Sequence, residues 1–327
     1  MRETLTLSAF FTMQIVFLDS DTMPEPLPVP EWATQWINRP ATEPDEEVIV
    51  GALAQADICI TNKVKLGASV LRQLPKLRFI CVAATGYDCI DLQSARELGI
   101  VVSNVPGYSR QSVAEGVIAF IFALRRALPY YQYIGRQAWP ESPHFCVHGL
   151  PVQNVRGCTL GIFGRGAIGG QVAQMAEALG VKVLFAEHRN RPEIRPGYTR
   201  FETVLDQSDV ISLHCPLTEA TRGMIGHAEI SRMKPGAMLI NTARGPLINE
   251  KAVLEGLTGG HLGGAALDVL AVEPPDSDNI LMQLGHPNLI ITPHVAWASE
   301  DGLSRLARGI IGNLDAFVRG EPINVVS

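Results

Sequence analysis

The sequence predicts an α/β protein of two domains, each built on a parallel sheet, with one domain inserted into the other. Three observations carry this. Strand-like apolar runs alternate with helical patterns along almost the whole chain. The stretch "LGIFGRGAIG" (residues 160–169), with the glycine spacing of a phosphate-cradling turn between strand and helix, stands near the middle of the chain and not at its start. Finally, the residues before it already make up a set of βα units of their own.

The length of 327 residues suits two domains, and a hydrophobic content of 46% supplies ample core. With 27 basic and 33 acidic residues the net charge is −6, and there is no basic block, which argues against unaided nucleic-acid binding. The six cysteines form no C-x-x-C pair and no zinc-like cluster, so they read as buried, reduced thiols and no metal site is expected. No apolar stretch reaches the roughly 18–20 residues that span a bilayer. The opening "MRETLTLSAFFTM" has no clear cleavage site and does not read as a signal peptide, and Met13 is an alternative start. The expected location is cytoplasmic, away from membranes.

Taken in order, the strand-like runs are "IVFLDS" from Ile15, "DICIT" from Asp57, "LRFICVAAT" from Leu77 and "GIVVSNVPG" from Gly99. "SRQSVAEGVIAFIFALRRAL" (Ser109 to Leu128) predicts one long helix, apolar nearly all round at its centre, as in a large core or a subunit interface. "PYYQYIGRQAWPESPHFCVHGLPVQNV" predicts an extended, aromatic arm. Past the glycine turn come "VKVLFAE", "DVISLHCP", "AMLINTA", "GAALDVL" and "NLIITPH", continuous apolar runs that suit strands buried on both faces. "SEDGLSRLARGIIGNLDAFVRGE" has the spacing of an amphipathic helix.

The chemistry-bearing residues fall at strand ends. Gly164, Gly166 and Gly169 let backbone N–H groups and a helix N-terminus approach a pyrophosphate. Glu187 ends the next strand, near the offset of about 20 residues expected for the acid that holds a ribose 2′-hydroxyl. A carboxylate there accepts from the diol and repels a 2′-phosphate, which favours NAD over NADP. His188, Arg189 and Arg191 could instead bind a 2′-phosphate if Glu187 turned away. Arg244 in "NTARGPLINE" can grip a carboxylate bidentately. Glu273 in "DVLAVEPP" and His294 in "TPHVAW" form an oriented proton-transfer pair. Taken singly, each has a plainer reading: a surface acid for Glu187, an ion pair for Arg244, a solvated acid for Glu273 and a structural hydrogen-bonder for His294.

"GRGAIG", "HCPLTEATRGMI", "MKPGAMLINTARGPLINEKAV", "GAALDV", "EPP" and "TPHVAW" resemble the D-isomer-specific 2-hydroxyacid dehydrogenases, from about Ile15 to the C-terminus. Within that family "LDSDT", "SPHFC" and "HVAWAS" are most similar to the bacterial glycerate dehydrogenases, also called hydroxypyruvate reductases. The resemblance implies two Rossmann-like domains, with an NAD-binding domain inserted into a discontinuous, flavodoxin-like substrate domain. Residues 1–106 and 296–327 would form the substrate domain. Residues 107–295 would form the NAD-binding domain, including a dimerisation helix and arm over 109–155.

The resemblance also implies roles. Arg244 would bind the substrate's carboxylate and polarise its carbonyl, His294 would protonate the carbonyl oxygen, and Glu273 would hydrogen-bond His294 and keep it protonated. Thr85 and Gly86 would cradle the carboxylate from the other domain, with the substrate between the two. Cofactor contacts would come from Arg165, Ile168, Glu187, Cys215, Pro216, Thr221, Thr242, Ala243 and Asp268, the last meeting the nicotinamide carboxamide. A homodimer is implied, with Trp139 and Phe145 as candidate pocket walls from the partner's arm. Ala84 and "VAW" depart from family glycines and bear on the size of the substrate.

The reaction expected is reduction of a small 2-oxo acid to its D-2-hydroxy acid, hydroxypyruvate to D-glycerate or glyoxylate to glycolate. The alternatives are a bulkier substrate and an NAD-sensing scaffold of the corepressor type. A formate dehydrogenase is disfavoured, because those enzymes pair their His with Gln where this chain offers Glu273. The chain has no room for the regulatory domain that phosphoglycerate dehydrogenases often carry.

Overall fold

A computed structural model describes residues 13–327. The opening segment, expected above not to be a signal peptide, lies outside the described residues apart from Met13. The chain divides into two compact units. One runs up to Ser109 and takes in Ser299–Ser327, and the other is Arg110–Ala298.

In the first unit, strands β1 (Gln14–Phe17), β2 (Gln35–Asn38), β3 (Ile58–Thr61), β4 (Phe79–Val82) and β5 (Val101–Ser103) form one parallel sheet in the order β2-β1-β3-β4-β5. This is the flavodoxin-like order. Ile15, Val16, Ile58, Ile60, Phe79 and Ile80 are completely enclosed, as expected for runs with neighbours on both sheet faces. The strand β2 was not foreseen: "QWIN" is a mostly exposed edge strand, and its polar residues give no apolar run to read. Helices α1 (Glu46–Leu53), α2 (Ala68–Leu71) and α3 (Leu92–Glu97) connect the strands. Asp45 caps α1 by accepting from the N–H groups of Glu47 (2.9 Å) and Val48 (3.1 Å). The C-terminal helix, Glu300–Val318, returns to this unit. Its Phe317 stacks on Phe79 at 4.4 Å, and Asn313 donates to the Asn104 carbonyl at 2.8 Å.

The second unit holds β6 (Thr159–Phe163), β7 (Lys182–Phe185), β8 (Val210–Leu213), β9 (Ala237–Asn241), β10 (Leu262–Leu267) and β11 (Leu289–Ile291), all parallel, in the order β11-β10-β9-β8-β6-β7. Its helices are α4 (Arg110–Arg125), α5 (Leu128–Gln137), α6 (Ala167–Ala178), α7 (Phe201–Gln207), α8 (His227–Arg232) and α9 (Glu250–Thr258). Because β7 and β8 flank β6 on opposite sides, the connections diverge at the carboxyl end of β6 and open a crevice there.

α4 covers Arg110–Arg125 of the helix expected over Ser109 to Leu128. One expectation is corrected in this unit. Ala127 adopts a left-handed conformation (φ 47°, ψ 42°), after which a separate helix, α5, begins with Pro129 in its first turn. The arm therefore starts as a helix, followed by a short 3-10 turn at Trp139–Glu141, where an extended segment was expected. The helix α5 fully buries none of its residues, which left no apolar stripe to read. The face of α4 that packs inward is Val113, Ala114, Val117, Ile121 and Leu124. Full burial of side chains such as Ile121 and Leu124 contributes about 1.5–3 kcal/mol each. Among the described residues no helix is long and apolar enough to cross a membrane.

Candidate active site

The glycine turn is built for close approach. Gly164 has φ +109°, and a Cβ there would lie 2.5 Å from the His214 carbonyl oxygen and 2.7 Å from the Cys215 nitrogen. The β6–α6 turn thus rests on the backbone that leaves β8, which only glycine allows. A Cβ on Gly169, in the first turn of α6 with Ile168, would collide with the Gly164 carbonyl. Gly166, the N-cap of α6, has open space beside it, so the free N–H groups of that helix end can receive a pyrophosphate.

Gly164, Arg165, Gly166, Glu187, Cys215, Pro216 and Thr221 line one cleft. Thr221 Oγ1 donates to the Pro216 carbonyl (2.7 Å) and accepts from Thr218 N (2.8 Å), which closes the loop after β8. Burial pushes the Cys215 thiol up to about 11, so it stays protonated and serves as an apolar wall. Burial also lowers His214 to about 4; its Nε2 lies 2.8 Å from Ser212 Oγ. Past β9, Thr242 Oγ1 is buried without a hydrogen-bond partner, a polar atom left over for a ligand. The open helix end and this orphaned hydroxyl fit a nicotinamide dinucleotide.

Glu187 is only 1% exposed. Its Oε1 accepts from Arg195 Nη2 (2.6 Å) and His188 N (2.8 Å), and its Oε2 from Arg195 Nε (2.8 Å) and Arg195 N (3.2 Å). The guanidinium hydrogen bonds hold this carboxyl down at about 2. Arg195 was missed in the sequence, where no motif marks it. Arg189 pairs with Glu229 at 2.8 Å and lies over Phe201.

Arg244, Glu273 and His294 follow β9, β10 and β11, three neighbouring strands of the sheet. Buried Asn241 sets the first turn: its Nδ2 donates to the Arg244 carbonyl (2.8 Å) and its Oδ1 accepts from Ala243 N (3.1 Å). Arg244 Nη1 donates to the Ala243 carbonyl at 2.8 Å. Any side chain on Gly245 would strike the Leu270 carbonyl, so the turn after β9 sits directly on the segment after β10. Glu273 is anchored there, with Oε1 accepting from Leu270 N at 3.0 Å and Oε2 2.7 Å from His294 Nδ1. A carboxylate only accepts, so Nδ1 carries the proton of this bond and Nε2 is left to exchange one with a ligand.

His294 has a left-handed backbone (φ 53°), unusual for a non-glycine residue. Its own N–H donates to the carbonyls of Asp268 and Thr292, each at 2.9 Å. The Asp268 carboxylate accepts from Thr292 Oγ1 (2.6 Å), Val295 N (2.9 Å) and Ala296 N (3.0 Å). Trp297 Nε1 donates to the His294 carbonyl at 2.7 Å. The acid expected above to meet the cofactor therefore also clasps the loop that carries His294. Trp297, the last residue of the "VAW" expected to bear on substrate size, thus also has a hydrogen bond to the His294 loop that the sequence did not suggest. Glu250 was missed as well; it steadies the Glu273 loop by accepting from Ala271 N (2.7 Å) and Asn279 Nδ2 (3.0 Å). Thr85 and Gly86 lie just past β4 in the first unit, where Asn104 Nδ2 donates to the Thr85 carbonyl at 2.7 Å.

Residues 117–296 match the family model of the D-isomer-specific 2-hydroxyacid dehydrogenase NAD-binding domain. The chain is 44% identical over 316 residues to the glycerate dehydrogenase of Methylorubrum extorquens, covering 96% of this chain and 99% of that one. It is 37% identical over 287 residues to the hydroxypyruvate reductase of Blautia hydrogenotrophica, covering 86% of this chain and 88% of the relative. Among solved structures, the D-lactate dehydrogenase of Aquifex aeolicus complexed with NAD and lactic acid matches with a TM-score of 0.80 and 28% identity, over 96% of this chain and 100% of the other. With the strand-end residues and the dinucleotide cleft in place, the chain belongs to the D-isomer-specific 2-hydroxyacid dehydrogenases, as an NAD-dependent oxidoreductase.

Proposed function

We propose that the chain reduces hydroxypyruvate to D-glycerate, and glyoxylate to glycolate, in the cytoplasm as a homodimer. The observation that carries the reading is the Glu273–His294 pair at 2.7 Å, on strand ends adjacent to that of Arg244. The names of the two curated relatives support the choice of substrate.

NADH, when bound, supplies the hydride. Arg244 binds the substrate's carboxylate through paired N–H donors and draws electron density from the carbonyl. His294 delivers its Nε2 proton to the carbonyl oxygen, and Glu273 holds the ring by Nδ1 and balances the imidazolium charge. In the reverse direction His294 takes the hydroxyl proton back. Gly164, Arg165, Gly166, Ile168 and Gly169 would hold the pyrophosphate side of the cofactor. Cys215, Pro216 and Thr221, together with Thr242, Ala243 and Asp268, would supply its other contacts. The dimer reading is supported by exposed Leu128, Tyr133, Trp139 and Phe145 along α5 and the arm.

The test is loss of NADH absorbance with purified protein and hydroxypyruvate, with glyoxylate, pyruvate and 2-oxoisocaproate in parallel. Hydroxypyruvate should be turned over fastest. In Arg244→Ala, kcat/KM should fall at least ~100-fold while NADH still binds. Faster turnover of 2-oxoisocaproate would give the site a bulkier substrate. NADH binding with no turnover of any acid would leave a scaffold role.

A further inference from the structure

An acid at the end of the second strand of such a domain ordinarily faces the adenosine ribose, and its bare charge repels a 2′-phosphate. In this chain the acid is Glu187, and its carboxylate is closed off. The side chain has 0% exposure, and both oxygens are occupied by Arg195 and by backbone N–H groups. The group paired with it is the guanidinium of Arg195, whose side chain is 37% exposed and lines the same cleft. Arg195 is braced from behind, with its guanidinium 4.1 Å from the centre of the Tyr198 ring. Arg165 lies over Phe185 (4.7 Å) and the same Tyr198 (5.5 Å), so a second cation borders the cleft.

The balance of charge follows. Discrimination against a 2′-phosphate needs an unpaired negative charge facing it. The contact ion pair cancels that charge, and the fork geometry leaves Arg195 with further N–H donors to offer outward. A phosphate monoester carries a charge of roughly −1.5 to −2 near neutral pH. It would meet a neutralised acid and the guanidinium of Arg195, with Arg165 at the same cleft.

We propose that Arg195, rather than Glu187, sets the cofactor preference at the ribose 2′ position, and that the adenosine end accepts the 2′-phosphate of NADPH alongside the 2′-hydroxyl of NADH. The inference concerns binding alone and does not depend on which 2-oxo acid the enzyme reduces.

The experiment is direct titration of the full-length protein with NADH and with NADPH, read by nucleotide fluorescence or calorimetry without substrate. The wild type should bind the two with Kd values within tenfold of each other. Arg195→Met bares the Glu187 carboxylate, and should weaken NADPH at least tenfold while changing NADH less than threefold. The double variant Glu187→Gln/Arg195→Met should regain part of the NADPH loss, because the repelling charge is gone. Glu187→Gln alone should keep both affinities within threefold, and it keeps the test readable if Arg195→Met does not fold. The proposal is overturned if wild-type NADPH binding is more than tenfold weaker than NADH binding. It is also overturned if Arg195→Met weakens both nucleotides equally, or if Glu187→Gln alone strengthens NADPH tenfold. Failure to reduce hydroxypyruvate would leave each of these results interpretable.

Discussion

Asp268 and Glu187 are both almost wholly buried, at 2% and 1% exposure, and both stand just past a strand of the same sheet. They differ in what they hold. Asp268 gathers two backbone N–H groups and a hydroxyl from a single loop, the one that carries His294. Glu187 is closed mainly by the side chain of Arg195. An acid that accepts from backbone fixes a conformation, here the left-handed turn at His294. An acid closed by a guanidinium leaves an exchangeable partner, because Arg195 can offer its donors to another anion. The His294 loop is thus held by contacts to its own backbone, whereas Glu187 is held by a side chain whose remaining donors another anion can engage.

The comparison breaks most severely at Asp268. Asp268→Ala should lower kcat by about 10²–10³ and stability by about 2–4 kcal/mol, because two loop N–H groups lose their acceptor in a buried setting. NADH oxidation and urea unfolding measure the two losses, and wild-type kcat in this variant would sink the clasp. Trp297→Phe removes only the indole donor to the His294 carbonyl and keeps a ring in place. A fall in kcat of about tenfold, with the KM for NADH unchanged, is expected. Recovery in Trp297→His, which can still donate, would separate hydrogen bonding from packing, whereas equal activity in all three would make Trp297 filler.

The smallest effect is expected at His214, which lies at the end of β8, between the two acids in strand order. Burial lowers it to about 4, so the folded protein refuses a proton that the unfolded chain accepts below its ordinary value of 6.5. The stability linked to this group is complete above 6.5 and is lost as pH falls towards 4. His214→Gln should therefore flatten the fall in Tm across that window by about 2–4 °C. An unchanged slope in calorimetry would show that His214 titrates normally.

The parallel strands were legible because runs rich in β-branched residues, such as Ile58–Thr61 and Val210–Leu213, are enclosed on both faces. The edge strand β2 and helix α5 were not, since neither buries a patterned face. At the site, the glycine spacing marked a turn of close approach, which Gly164 makes against the end of β8, and the expected pairing of Glu273 with His294 is present at 2.7 Å. Arg195 and Glu250 escaped because each acts across a loop, at separations that no local pattern encodes. Asp268 shows the remaining gap: a sequence can mark an acid at a strand end, but it does not say how many neighbours that acid already serves.

The anchoring of the C-terminal helix sets a timetable for folding during synthesis. Trp32 donates to Asp315 across a separation of 283 residues, and Val326 N, beyond the helix, donates to the Val102 carbonyl within β5. At ~5–20 residues per second, the ribosome needs roughly 10–40 s to deliver the last third of such a chain once the first third has emerged. Through that interval the early sheet waits without the helix that covers Phe79, while Arg110–Ala298 can fold as soon as it is complete. The unit that holds β4 is therefore finished only after Arg110–Ala298 has been made, and its apolar β4 face is the surface a nascent-chain chaperone would meet.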